Sequence, residues 1–471
     1  QNFAENQPIK NIFVRHDFAK TASGICRISR TCTIGRLGIA FLSRLFETHC
    51  VGLCPRLRAF QSHPKQNIEM EKHIMQRRSL FLRTFAGAIA GSLASAATAA
   101  AAAEAGQSAL PASALKEFVP SAEKPLLLNF NENSLGMAAS AKEAVAKSMG
   151  EAFRYPDAVR SGVIADIAKH FGLASENVSL GNGSSEVIQA VIEAQVHKAQ
   201  KASKKVQLLE PVPTFGVAAA YAEALGIPVK DVVLKKDTLS IDVAALKAAA
   251  AAFDGVSIVY FCNPNNPTGI ITPATEINAW IEEAARTNAP VFFLMDEAYA
   301  EFVSDPPFVS AVELVKKGLK NLVVSRTFSK LYALAGLRLG YGLAEKSVAA
   351  DVNNFESIDN TNVAAAVAAS ATLRDENYLK LSLEAVNLSR KIVVEAFEEL
   401  GIAYLPSQAN FIFHKVKGAE GEYTRAMAAE HVMVGRPFPP FVEWNRLTLG
   451  TPGEMKAFVK VLKKLHKQGL A

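Results

Sequence analysis

Beyond residue 54 the sequence holds a single cysteine, Cys262. One thiol cannot form an intrachain disulfide, so this stretch needs no oxidising compartment to fold. The other four cysteines, Cys26, Cys32, Cys50 and Cys54, lack the spacing of a zinc site and have no flanking histidine pattern, and no metal is expected. An excess of one charge is missing as well. Residues 1–84 carry 14 Lys and Arg against 5 Asp and Glu, whereas the rest carries 37 against 40. The formal +6 therefore belongs to the N-terminal region, and the remainder gives no basis for nucleic-acid binding. Glycine (28) and proline (21) are ordinary for 471 residues, which excludes collagen-like and low-complexity chains. With 49% hydrophobic and 20% charged residues, wholesale disorder is excluded too. The length suits two to four domains with a sizeable core.

Residues 1–74 begin with Gln1 and show no sustained helical or strand period, so they are expected to be a non-globular extension or upstream sequence. Arg77-Arg78-Ser79-Leu80-Phe81-Leu82-Arg83 is then followed by twenty uncharged residues, 84–103, eleven of them alanine. Ala103-Glu104-Ala105 is a small-x-small cleavage pattern before Gly106. A basic region, an apolar region and a small-residue site, in that order, make a signal peptide over 75–105, and the paired arginines resemble the bacterial twin-arginine signal. A periplasmic location is the resulting expectation, with a cytoplasmic enzyme bearing an uncleaved Ala-rich leader as the alternative. Alanine contributes little to membrane insertion, and no other segment reaches 18 apolar residues, so no stable membrane anchor is expected.

From about residue 125, apolar runs alternate with amphipathic stretches. Residues 178–180, 206–209, 256–262, 291–295 and 322–325 read as strands, and 186–201 as a helix. Runs apolar on both faces, separated by helical patterns, indicate a parallel sheet covered by helices, an α/β architecture. After about 365 the texture changes to a long helix over 377–400 with short strands at 411–413 and 446–449, suggesting a smaller α+β domain. The expected organisation is an arm over 106–150, a large domain over 151–365 and a small domain over 366–471.

Polar residues crowd behind three of these strands. Asn263-Pro264-Asn265-Asn266-Pro267-Thr268-Gly269 follows the first, Asp296-Glu297-Ala298-Tyr299 the second, and Arg326-Thr327-Phe328-Ser329-Lys330 the third. Singly, each is ordinary: Asn-Pro punctuates loops, aspartates cap helices, lysines are solvated. Parallel α/β sheets, however, gather the carboxyl ends of their strands at one edge, where ligands bind. Asn266, Asp296 and Lys330 are therefore expected to converge.

This combination resembles the pyridoxal-phosphate-dependent aminotransferases of fold type I, class I/II, and within them the histidinol-phosphate aminotransferase branch. The resemblance rests also on Asn131-Glu132-Asn133, Arg154-Tyr155-Pro156-Asp157, Gly181-Asn182-Gly183-Ser184-Ser185-Glu186, Pro213-Thr214-Phe215, Arg338, Asn410-Phe411 and Arg446. It implies pyridoxal 5'-phosphate as cofactor, with Lys330 bonded to its aldehyde and then moving the substrate Cα proton. Asp296 would face the pyridine nitrogen, Tyr299 and Asn266 the phenolic oxygen, and Phe215 the ring face. Gly183, Ser184 and Ser185 at a helix start, with Thr327, Ser329 and Arg338, would hold the phosphate. Tyr155 would reach a partner subunit's phosphate, implying a homodimer. Arg446 would bind the substrate carboxylate, and Arg436, near the position where this branch binds substrate phosphate, would have a substrate role. The implied reaction exchanges an amino group between an amino acid, or an amino phosphate such as histidinol phosphate, and a 2-oxo acid. A lyase or decarboxylase on the same scaffold and a non-catalytic cofactor-binding regulator are the alternatives; intact Lys330 and Asp296 speak against the latter.

Overall fold

The computed structural model describes residues 110–471. The extension over 1–74 and the signal-like segment over 75–105 lie outside these residues. Eleven strands occur in the described chain: β1 Leu126–Leu127, β2 Val178–Gly181, β3 Val206–Val212, β4 Val229–Val233, β5 Val256–Cys262, β6 Val291–Asp296, β7 Leu322–Thr327, β8 Gly340–Leu343, β9 Phe411–Lys415, β10 Val432–Met433 and β11 Trp444–Thr448.

Seven of them form one sheet in the order β2-β8-β7-β6-β5-β3-β4. β4, β3, β5, β6 and β7 run parallel, so β5, β6 and β7 end on the same edge. β6 and β7 are buried along their whole length, as parallel strands covered on both faces are, and their apolar starts, residues 291–295 and 322–324, suit that position. The parallel core is the fold expected of a fold type I enzyme.

Two strands depart from the expected reading. β8 is antiparallel to both β7 and β2. The loop over residues 328–339 that returns the chain from β7 to β8 carries Lys330 and holds no α-helix to make the crossover a parallel pair needs. β3 runs through Glu210 and Pro211 to Val212, rather than stopping at residue 209. Its pairing with β5 covers residues 206–209, and its pairing with β4 carries on through residue 212.

The C-terminal part builds a second, smaller layer. β9 and β11 pair antiparallel, and β1 pairs parallel with β10. Leu128 bridges the two, because its N–H donates to the Met433 carbonyl and its carbonyl accepts from Thr448 N–H. The segment before residue 130 is thus knitted to the C-terminal strands. Helix Val363–Leu373 spans the position expected to divide the domains. The long helix Glu376–Leu400 starts at Asp375, whose carboxylate accepts from Tyr378 N–H, and stops at Gly401 with φ 67°. The last helix, Pro452–Lys467, has a reciprocal cap between Thr451 and Glu454. Among the described residues no helix is long and apolar enough to cross a membrane.

Candidate active site

The edge where β5, β6 and β7 end opens into a cavity of about 570 Å³. Asn266, Asp296, Tyr299, Thr327, Ser329 and Lys330 line it, as the strand-end reading expects. So do Ser184, Ser185, Phe215, Arg338, Arg436 and Arg446. Gly183 adjoins it through Arg338. Tyr155 does not line the cavity; its side chain is 79% exposed.

Asp296 is the last residue of β6 and is buried. Its Oδ1 accepts from Ala298 N–H at 3.1 Å and its Oδ2 from the Tyr260 hydroxyl at 2.7 Å. Burial pushes its carboxyl up to about 6, while the Tyr260 and Ala298 hydrogen bonds and the Lys330 charge hold it down. Lys330 Nζ donates to the Phe130 carbonyl at 3.0 Å. Burial pulls this amine down to about 8, and the Arg446 charge lowers it further, against the pull of Glu132 and Asp296. The neutral, nucleophilic amine is therefore available near pH 8, well below the usual lysine range.

Tyr299 accepts from Asn131 Nδ2 at 3.0 Å and from Asn266 Nδ2 at 3.5 Å. Its ring meets Phe411 edge-on at 5.0 Å. Asn131 is held in turn, its N–H on Thr448 Oγ1 and its carbonyl on Asn410 Nδ2. Arg446 projects from β11 and donates to Asn266 Oδ1 at 2.7 Å and to the Asn129 carbonyl at 2.6 Å. Its guanidinium lies 5.4 Å from the Phe438 ring centre, and Arg436 lies 4.6 Å from the same ring.

Behind the cavity, Glu297 and Glu301 clamp Arg326 at 2.6 and 3.1 Å, all three side chains largely buried. Burial works against the Arg326 charge, but the two carboxylates outweigh it and hold the guanidinium protonated above its usual range. Glu297 also accepts from Ser310 Oγ and Ala311 N–H, both at 2.7 Å. The residue next to Asp296 is thereby fixed, and Asp296 with it.

The donor set fits a phosphorylated aldehyde cofactor. Helix Ser184–Lys201 begins at Gly183, with φ 80° and no side-chain cap, so its first N–H groups remain free for an anion. A Cβ on Gly183 would stand 2.3 Å from Arg338 Nη2, and one on Gly340 would stand 2.1 Å from Ser184 N. Glycine at both positions lets amides and guanidinium surround one space. Thr327 Oγ1 and Ser329 Oγ, 3.0 Å apart, add hydroxyls. The amine and the buried carboxylate complete the set. Tyr260, Asn131 and the carbonyls of Asn129 and Phe130 also build the site, although the sequence reading gave them no role. A tyrosine two residues before the end of an apolar strand was the available signal for Tyr260.

A parallel sheet with a lysine, an aspartate and an anion cradle at its carboxyl edge defines a class, and the comparisons agree. Residues 123–462 match the family Aminotransferase class I and II, and the chain belongs to it. It is a pyridoxal-phosphate-dependent aminotransferase. Its relatives include histidinol-phosphate aminotransferase 1 of Cupriavidus pinatubonensis, 33% identical over 342 residues, which are 72% of this chain and 87% of that protein. A solved structure from Erwinia carotovora atroseptica, whose histidinol-phosphate aminotransferase name is provisional, matches with TM-score 0.71 and 37% identity over 74% of this chain and 99% of that one. Histidinol-phosphate aminotransferase of Sinorhizobium meliloti, solved with pyridoxal-5'-phosphate, shares the fold with TM-score 0.64 and 23% identity over 73% of this chain and 91% of that one.

Proposed function

We propose that the cavity transaminates a small anionic amine: an amino acid, or an amino phosphate such as histidinol phosphate. The donor amine and a 2-oxo acid give the donor's carbonyl compound and a new amino acid. When bound, pyridoxal phosphate supplies the electron sink and carries the amino group between the two half-reactions. Lys330 Nζ would hold the cofactor at its aldehyde carbon and would be the base for the substrate Cα proton. Asp296 would hold a proton on the ring nitrogen. Tyr299 and Asn266 would orient the ring's phenolic oxygen, and Phe215 would cover a ring face. The start of helix Ser184–Lys201, with Thr327, Ser329 and Arg338, would take the phosphate. Arg446 takes the substrate carboxylate, and Arg436, at the mouth, a second anionic group. The observation that carries this reading is that Lys330 and Asp296 line one cavity with Arg446.

A half-reaction assay across a panel of amino donors tests it. Transamination gives the donor's carbonyl compound with no CO2; stoichiometric CO2 would assign a decarboxylase instead.

Two further features belong to the proposal. The protein works as a homodimer, with Tyr155 lent to the partner's phosphate site; its exposure, and that of neighbouring Phe153 at 74%, supports a covered face there. The segment over 75–105 directs twin-arginine export to the periplasm, a route compatible with a body that folds without disulfides.

A further inference from the structure

The two oxygens of Asp296 are held by donors of different origin. Ala298 N–H, on Oδ1, is local, whereas the Tyr260 hydroxyl, on Oδ2, comes from the neighbouring strand 36 residues earlier. Strand pairing explains the contact. Cys262 pairs with Asp296 across β5 and β6, and Tyr260 lies two residues back on the same face. Its phenol reaches along that face to the carboxylate. The Tyr260 side chain is fully buried and does not line the cavity.

The charged and titratable groups around this pair come from every neighbouring element. Tyr260 and Cys262 come from β5, Lys330 from the loop after β7, and Glu297 and Tyr299 from Asp296's own segment. Glu210 of β3 acts on Tyr260. Lys330 and Tyr260 favour the ionised carboxylate; burial and Glu297 oppose it. Burial, with Asp296 and Cys262 beside it, pushes the Tyr260 phenol well above its usual range, so it remains a donor throughout the working pH.

We propose that Tyr260 is a positioning residue for the reaction, its hydroxyl fixing the Asp296 carboxylate in one orientation and holding it ionised for the cofactor's ring nitrogen. This rests on the reading of the cavity as the pyridoxal phosphate site. Tyr260→Phe keeps the ring and its packing but leaves Oδ2 buried without this donor. A buried carboxylate that loses a hydrogen bond to its charged form binds a proton more readily.

The test is cofactor binding, not turnover. Cofactor-free full chain is titrated with pyridoxal phosphate from about pH 5 to about pH 8, following protein fluorescence, for the parent protein, Tyr260→Phe and Asp296→Asn. The titration of the ligand's own phosphate is common to all three, so the differences between them are the readout. The parent should lose affinity as pH falls through about 6. Tyr260→Phe should move that midpoint upward by about one pH unit, a tenfold change in proton affinity. Asp296→Asn should lack the step. Incorporating 3-fluorotyrosine at position 260, a stronger donor of the same shape, should move the midpoint downward and serves if the phenylalanine variant fails to fold. An unmoved midpoint in both position-260 proteins, or a loss of affinity equal at every pH, overturns the positioning role. A parent-like step in Asp296→Asn overturns the cavity reading first and the positioning role with it.

Discussion

Arg446 Nη1 donates to Asn266 Oδ1 at 2.7 Å, joining the last strand of the chain to the loop after β5 across 180 residues of sequence. The same guanidinium holds the Asn129 carbonyl, so one side chain ties together three segments of the cavity wall. Burial lowers its proton affinity and nearby Tyr299 supports the charge, yet an arginine stays ionised in any working buffer.

Arg446→Lys keeps the charge and loses the planar fork. The KM for the amino donor should rise roughly ten- to a hundredfold, the scale of one charge-assisted hydrogen bond. Cofactor affinity should fall by less than the KM rises, because Arg446 reaches the cofactor residues only through its hydrogen bond to Asn266 and its charge beside Lys330. Steady-state kinetics beside a cofactor titration separates the two, and a parent-like KM would remove Arg446 from substrate binding.

Gly340→Ala places a Cβ 2.1 Å from Ser184 N and 2.5 Å from the Gly183 carbonyl carbon, both rigid backbone. The start of the anion-binding helix must shift, and the cofactor Kd should rise at least about tenfold. Gly150→Ala, which meets nothing within 4 Å, should leave it unchanged. Equal affinities in the two variants would show that this helix start does not hold the phosphate.

The strand ends were the most legible part of the sequence. Asn266, Asp296 and Lys330 each follow an apolar run, and parallel strands can only bring such ends to one edge. Tyr260 was less legible because a tyrosine within an apolar run reads as core, which it also is. Its contact with Asp296 depends on which residue of β5 faces which residue of β6, and a single sequence does not encode that pairing locally. Asn131 stood in a motif without a role for a similar reason: its partners Thr448 and Asn410 lie about 300 residues away. β8 went unread because two of its four residues are glycines, kept small where Val187 and Ser184 press against them.

His414 is fully buried in β9, with its ring 4.7 Å from Phe397 and no partner for Nε2 among the described residues. Burial pulls its imidazole down to about 4. Between about pH 6.5 and about pH 4 the unfolded chain binds this proton and the native one does not, so stability is lost as pH falls through that window. Urea unfolding at about pH 7 and about pH 4.5 should show His414→Phe losing about 2 to 3 kcal/mol less than the parent over this interval. Equal losses in both proteins would clear His414 of the acid sensitivity.

The export proposal has its own test. Produced in a bacterium, the chain should appear in the periplasm with an N-terminus near Gly106, and Arg77→Lys combined with Arg78→Lys should hold it unprocessed in the cytosol. Cell fractionation with N-terminal sequencing decides. Full-length protein confined to the cytosol, whether or not the arginines are replaced, would contradict it.

The identity of the cofactor-bearing lysine tests the account most directly. Purified protein loaded with pyridoxal phosphate, reduced with borohydride, digested and mapped by mass spectrometry should carry the label on Lys330, and Lys330→Ala should lose both the label and the visible absorption band. A label fixed stoichiometrically on a different lysine, or an undiminished band in Lys330→Ala, would contradict it.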